Sequence, residues 1–173
     1  MVQVYIHGLG QTPDSWNEVV SRLDADESSI CPDLAELVRG KEVTYQNLYT
    51  SFSAVCDESS ETLMLCGLSL GGVLALHYAI DHPEKVERLI LVATQYKMPK
   101  KQLKVQNVIF RFMPKSMFHQ IGFKKDDFLK LCNNSPAICS QSAALPPLPQ
   151  RYKRCPSAKH EYSVSYTDKI SVS

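Results

Sequence analysis

The pentapeptide Gly67-Leu68-Ser69-Leu70-Gly71 sets one hydroxyl between two glycines. This is the G-x-S-x-G spacing in which serine serves as an acyl-transfer nucleophile. The chemistry requires a sharp strand-to-helix turn that pushes the hydroxyl out of a sheet, with glycines where neighbouring backbone must come close. The flanks supply both elements. Thr62-Leu63-Met64-Leu65-Cys66 is a short apolar run, as in a buried parallel strand. After Ser69, the residues Val73, Leu76, His77 and Ile80 recur at i, i+3, i+4 and i+7, with Ala75 and Ala79 as small packing residues. The pattern stops at His82-Pro83, which predicts a helix ending there. Gly72 extends the small-residue patch. The bland alternative is a glycine-rich turn between two buried elements.

A second motif argues against that alternative. Val2-Gln3-Val4-Tyr5-Ile6 reads as a strand and runs into His7-Gly8-Leu9-Gly10-Gln11. Attack of a serine on a carbonyl creates a tetrahedral oxyanion, which needs two preorganised N–H donors. Leu70, the residue after Ser69, can give one. The loop after the first strand can give the other, since Gly8 and Gly10 allow tight curvature and Leu9 can aim its amide at the site.

In His7-Gly8-Leu9-Gly10, in Gly67-Leu68-Ser69-Leu70-Gly71-Gly72, and in His82-Pro83-Glu84-Lys85-Val86 leading into Arg88-Leu89-Ile90-Leu91-Val92-Ala93, the chain resembles the α/β-hydrolase superfamily. The likeness is to the branch of small esterases and lipases and covers roughly residues 1 to 131. It implies a three-layer α/β fold around a mostly parallel sheet, with Ser69 as nucleophile and Leu9 and Leu70 as oxyanion-hole amides. It implies no cofactor and a small apolar acyl substrate, and it gives His7 a supporting role in the oxyanion loop instead of that of base. His77 reads as a satisfied core or helix-face residue, and His82 as a helix-end capping residue.

The surrounding elements alternate as in a doubly wound sheet. Pro13 opens a first helix region, Ser15-Trp16-Asn17-Glu18 offers a capping box, and Trp16, Val19, Val20 and Leu23 form its expected buried stripe. Ser29 to Leu34 reads as a short strand and its exit. Tyr45, Leu48, Phe52 and Val55 mark a second helix opened near Thr44, and Arg88 to Ala93 a further buried strand. The sum is four parallel strands joined by three crossovers.

Composition narrows the function class. A formal charge of +1 gives no electrostatic reason to expect nucleic acid. Lys97, Lys100, Lys101 and Lys104 cluster without interleaved aromatics and read as a solvated face. No run reaches membrane-spanning length, and the amino terminus lacks a signal-like basic flank, so a cytoplasmic location is expected. The six cysteines read as reduced thiols, with Cys31, Cys56 and Cys66 as small buried hydrophobes. Cys132, Cys139, Cys155 and His160 match no zinc-site spacing, so no metal is expected.

Beyond Thr94 the pattern changes. Val105, Val108, Ile109, Phe112 and Met113 suggest an amphipathic helix, interrupted at Pro114 and continued by the apolar Met117, Phe118, Ile121 and Phe123. The resemblance makes this segment a cap over the nucleophile; a helix packed on its own sheet is the alternative. The expected division is therefore a hydrolase core over 1–97, a cap-like helical segment over 98–131, and a proline- and serine-rich tail, disordered or foreign to the family, over 132–173. From Asn133 onward there is no glycine or phenylalanine, and half of the ten prolines fall there.

No strand carrying the acid and histidine of a triad can be placed on that tail. Asp126 or Asp127 with His160 respects the order Ser, Asp, His but lies in no family-like turn; His119 reads as a cap or surface residue, and Asp168 would matter only if the tail completed the sheet. The expectation is a carboxylesterase- or lipase-like serine hydrolase, truncated as this chain and weakly active or inactive. The alternative is a non-catalytic interaction protein. It would use Pro146-Pro147-Leu148-Pro149-Gln150-Arg151, a PxxPxR match to an SH3-type ligand.

Overall fold

Alternation along β1 (Val2–Ile6) fixes the architecture: Val4 and Ile6 point into one core, and Tyr5 into another on the opposite face of the sheet. β3 (Leu63–Leu68) repeats the division, with Leu63 and Leu65 on the first face and Met64 and Cys66 on the second. In the computed structural model, which describes residues 1–23, 29–94 and 124–134 together with Val108, Ile109, Phe112 and Pro114, these strands form a four-stranded parallel sheet. Its order is β2-β1-β3-β4, where β2 is Ser29–Ile30 and β4 is Val86–Val92. The register runs Val2 to Leu63 through Ile6 to Gly67, so β1 and β3 end side by side.

Helices cover both faces. The larger core gathers α2 (Leu34–Leu37), α3 (Tyr45–Asp57) and α4 (Leu70–Asp81) through Leu34, Leu48, Phe52, Val73 and Leu74. The smaller core sets Trp16 and Val20 against Tyr5, Met64 and Cys66. This is the three-layer α/β-hydrolase arrangement that the sequence predicts.

α3 begins where expected, because the Thr44 hydroxyl accepts the Asn47 N–H at 3.2 Å. On its buried face, however, Cys56 replaces Val55, which is only half-buried. α4 departs from its predicted stripe in the same way. Leu74, Tyr78 and Ala79 are fully buried while His77 and Ile80 are the half-buried positions, because this helix is enclosed nearly all round and a single apolar stripe does not describe it.

The first helix region differs more. Pro13–Trp16 is a 3-10 turn, followed by a short α1 (Asn17–Arg22). Ser15 is not a cap: it lies inside the 3-10 turn and donates its N–H to the Thr12 carbonyl at 3.0 Å. The expected stripe shrinks to Trp16 and Val20, with Val19 and Leu23 facing outward at 40% and 58% exposure.

The stretch to Leu34 that reads as a strand exit after Ile30 runs into α2, where Asp33 accepts from the N–H groups of Ala35 and Glu36 as an N-cap. The sequence predicts β4 buried throughout, yet its residues alternate. Leu63 pairs with Val86 but Met64 with Arg88, a register shift that adds one residue to β4, so Val86 and then Leu89 and Leu91 reach the larger core. Among the described residues β4 and β2 are the two edge strands.

α5 (Lys125–Asn134) falls mostly within the segment that reads as a cap, and its Leu131 is fully buried in the larger core. This part of the segment packs against the core. Val108, Ile109 and Phe112 are exposed. Lys97, Lys100, Lys101, Lys104, Val105, Met113, Met117, Phe118, His119, Ile121, Phe123 and everything from Ser135 onward lie outside the described residues, as do the side chains of Cys132 to Asn134. That places the Pro146–Arg151 motif, His160 and Asp168 there too. Among the described residues no helix is long and apolar enough to cross a membrane.

Candidate active site

β3 ends at Leu68 and α4 starts at Leu70, so the whole turn rests on one residue. Ser69 has φ 53° and ψ −113°, a left-handed backbone that costs a non-glycine residue on the order of 1–3 kcal/mol. Two bonds hold it there. Its N–H donates to the Val92 carbonyl of β4 at 2.9 Å, and its carbonyl accepts the first helical bond from Val73 at 3.2 Å. The side chain is exposed at the carboxyl end of the sheet, where parallel α/β sheets place their ligands.

The flanking glycines answer to close approach. A Cβ on Gly71 would lie 2.3 Å from the Ile6 carbonyl oxygen and 2.6 Å from that of His7. A Cβ on Gly67 would lie 2.5 Å from the Gly71 oxygen. The start of α4 is thereby pressed onto the end of β1, and the two predicted motifs meet in space. A Cβ on Gly8 would come 3.3 Å from Ser69 Cβ, so the His7–Gln11 loop runs directly beside the serine.

Near this turn, two sets of backbone amides lack an internal acceptor among the described residues. No side chain caps α4, whose first hydrogen bond comes from Val73, so the Leu70 N–H is one of its free N-terminal donors. In the loop, the Gly8 N–H goes to Gln11 Oε1 at 2.8 Å and the Gln11 N–H to the Gly8 carbonyl at 3.2 Å. Among the described residues, the amides of Leu9 and Gly10 find no acceptor.

His7 is fully buried and cannot reach solvent. The Leu34 N–H donates to its Nε2 at 3.1 Å, which makes Nε2 an acceptor and places the proton on Nδ1, 2.9 Å from the Gly8 carbonyl. Burial holds its pKa below the ordinary imidazole value, so this tautomer is neutral. His7 therefore braces the loop from beneath, as the resemblance implies.

The other described histidines are engaged elsewhere. His77 Nδ1 lies 2.6 Å from the Tyr45 hydroxyl with its ring edge-on to Tyr45 and Tyr49, and burial lowers its pKa. The His82 ring stacks on Tyr78 with centroids 4.5 Å apart, and the His82 backbone N–H closes α4 on the Tyr78 carbonyl. Among the described residues no histidine is hydrogen-bonded to Ser69. Asp127, one of the two candidate acids for a substitute triad, pairs with Lys130 at 3.6 Å within α5, and Asp126 is exposed. Cys66, buried three residues before Ser69, has its thiol pushed up to about 11 by desolvation and offers no competing nucleophile.

Three further residues shape this corner, two of them without any signal in the sequence. Thr94 is buried at the exit of β4, and its Oγ1 would sit 1.8 Å from a Cβ on Gly72. Ala93, with φ 46°, is the other non-glycine residue of positive φ among the described residues, and it leaves the strand next to the one that Ser69 ends. Gln11 is the third. Nothing in the types of Ala93 and Thr94 signals a site, whereas Gln11 sits in the motif itself and invites attention.

A family model described as "Serine aminopeptidase, S33" matches residues 37–145, well over half of the chain. The match includes the Ser69 turn, starts after the His7–Gln11 loop and runs past residue 131. Among curated proteins, the chain is 32% identical over 94 residues to a pimeloyl-[acyl-carrier protein] methyl ester esterase of Vibrio parahaemolyticus, covering 54% of this chain and 37% of that protein. A protein of the same description from Aromatoleum aromaticum is 34% identical over 91 residues, covering 53% and 36%. The chain thus spans less than two fifths of the length of these relatives. Among solved structures, a thioesterase domain from the curacin biosynthetic pathway superposes at TM-score 0.49 and 21% identity, covering 77% of this chain and 58% of that one. By the family match and the parallel three-layer sheet, this chain belongs to the serine aminopeptidase S33 family of α/β-hydrolases.

Proposed function

We propose that this chain carries the nucleophile and the oxyanion amides of a carboxylesterase-type serine hydrolase, with Ser69 as nucleophile and Leu9 and Leu70 as backbone donors. The observation that carries the reading is the strained, exposed Ser69 with Gly8 packed against its Cβ. Ser69 Oγ attacks the ester carbonyl carbon, and the carbonyl oxygen takes up negative charge between the two amides. Collapse expels the alcohol and leaves an acyl-serine, which water then hydrolyses to the acid.

The methyl-ester esterases among the relatives favour an ester of an acyl chain as substrate. The exposed Val108, Ile109 and Phe112, in the segment we assign as a cap, offer apolar surface suited to such a chain. A serine hydroxyl is a poor nucleophile until a base accepts its proton, and the described histidines are bound to other partners. Turnover by the described groups alone is therefore expected to be very slow.

The test is covalent labelling by a fluorophosphonate, read by intact mass and peptide mapping. Slow single-site labelling on the peptide holding Ser69, abolished by Ser69→Ala, is expected. Labelling that persists undiminished in Ser69→Ala overturns the assignment.

A further inference from the structure

We propose that Gln11 is a positioning residue that clamps the Gly8 peptide groups and so aims the Leu9 amide at the oxyanion; this rests on the function proposed above. The Gly8 carbonyl and the Leu9 N–H belong to one planar trans peptide, in which they point in opposite directions. Whatever fixes the carbonyl fixes the amide. The carbonyl is held from two sides, by His7 Nδ1–H at 2.9 Å and by the Gln11 N–H at 3.2 Å.

The preceding peptide is held as well, because the Gly8 N–H donates to Gln11 Oε1 at 2.8 Å. That bond has a second effect. It occupies the Gly8 amide, which would otherwise be a competing donor beside Ser69, and leaves the Leu9 N–H without an internal acceptor among the described residues. Gln11 is half-buried and Leu9 packs against the larger core, so the loop is anchored at both ends of its curve. Gly10, at φ 86°, supplies the turn that brings Gln11 back to Gly8. A glycine-rich loop without such a clasp would sample many peptide orientations, and only a preorganised donor stabilises the oxyanion without a reorganisation cost.

The experiment compares Gln11→Met, similar in length but without an acceptor at its tip, with Gln11→Glu, which keeps one. The readout is the rate of Ser69 phosphonylation alongside the thermal midpoint. Misaiming one oxyanion donor should slow labelling by Gln11→Met about 30-fold with little change in thermal midpoint, and Gln11→Glu should stay at least about fivefold faster than Gln11→Met. Gln11→Met labelling at the wild-type rate, or Gln11→Glu no faster than Gln11→Met, overturns the clamp.

Amide hydrogen exchange on the unaltered chain gives a second readout that needs no variant. Gly8 should be protected and Leu9 fast, and equal exchange at the two amides overturns the proposal. An unaltered chain that never labels at Ser69 sinks the hydrolase reading instead, while the exchange result still decides the clamp.

Discussion

The two strand-to-helix turns that meet at Ser69 are built on opposite principles. The turn after β3 is one residue long, and it is held within the main chain, by the Ser69 bonds to Val92 and Val73 and by backbone pressed on backbone at Gly67, Gly71 and Ile6. The turn after β1 runs from His7 to Thr12 and is held by hydrogen bonds from two side chains, His7 and Gln11. The helix that each turn leads into matches its manner of support. α4 is enclosed by core on nearly every side, whereas α1 is a short, largely exposed helix. Main-chain fixing suits the nucleophile we propose at Ser69, whose place must not vary; side-chain fixing suits the proposed oxyanion amide, whose aim can be tuned without dismantling the sheet.

One methyl group added to each turn should have the largest effect. Gly71→Ala forces a Cβ against two main-chain oxygens that cannot yield without moving β1. A cost of about 3 kcal/mol or more is expected, as for severe overpacking. Gly8→Ala meets first the tip of a side chain, Gln11 Oε1 at 3.0 Å, which can swing aside. Urea denaturation of the two variants should show a clearly lower midpoint for Gly71→Ala. Equal losses would mean that the β1 turn is sterically fixed after all.

Legibility in the sequence divides along the same line. Ser69, its strand and α4 can be placed because an apolar run, a G-x-S-x-G spacing and a helical period agree within a short stretch of chain. The details of α4 are not legible: Leu74 and Tyr78 outrank His77 and Ile80 in burial because the helix is buried nearly all round, and a stripe presumes an outside. The short α2 goes unseen because Pro32-Asp33-Leu34 reads equally as the exit of a strand, and only the Asp33 cap and the His7 bond to Leu34 select the helix. Thr94 and Ala93 give no sign because their importance lies in what they touch across the sheet. Past Thr94 the apolar residues carry no period that separates a cap from a packed helix, and among the described residues only Leu131 reveals an anchor in the core.

A middle-sized effect comes from removing the brace under the loop. His7→Leu keeps the bulk but leaves the Leu34 N–H and one lone pair of the Gly8 carbonyl without a partner, at about 1–3 kcal/mol for a buried group left unsatisfied. The pH dependence sharpens the assignment. Burial lowers the folded-state pKa of His7, so between the folded and unfolded values the unfolded chain binds more protons. The stability that neutral His7 contributes is fully present above the unfolded pKa and is lost as pH falls toward the folded one. His77, also shifted down by burial, adds a slope of the same sign. Denaturation midpoints measured across that acidic window should fall less steeply for His7→Leu than for the unaltered chain. An identical slope would show that His7 is not held neutral.

The smallest effect expected tests the other end of the comparison, the helix beyond the longer turn. The helical period puts Val19 on the buried stripe of α1, yet it is 40% exposed, and the smaller core is reached through Trp16 and Val20 instead. Val19→Lys therefore removes little buried apolar area. Valine is also the weaker helix former, and the new ammonium falls next to Glu18, which already pairs with Arg22. The net change should stay within about 0.5 kcal/mol, the usual range for surface substitutions. A thermal midpoint unchanged within error would confirm that α1 docks by one edge. A loss comparable with that of His7→Leu would show that α1 buries its full apolar row in solution, as α4 does.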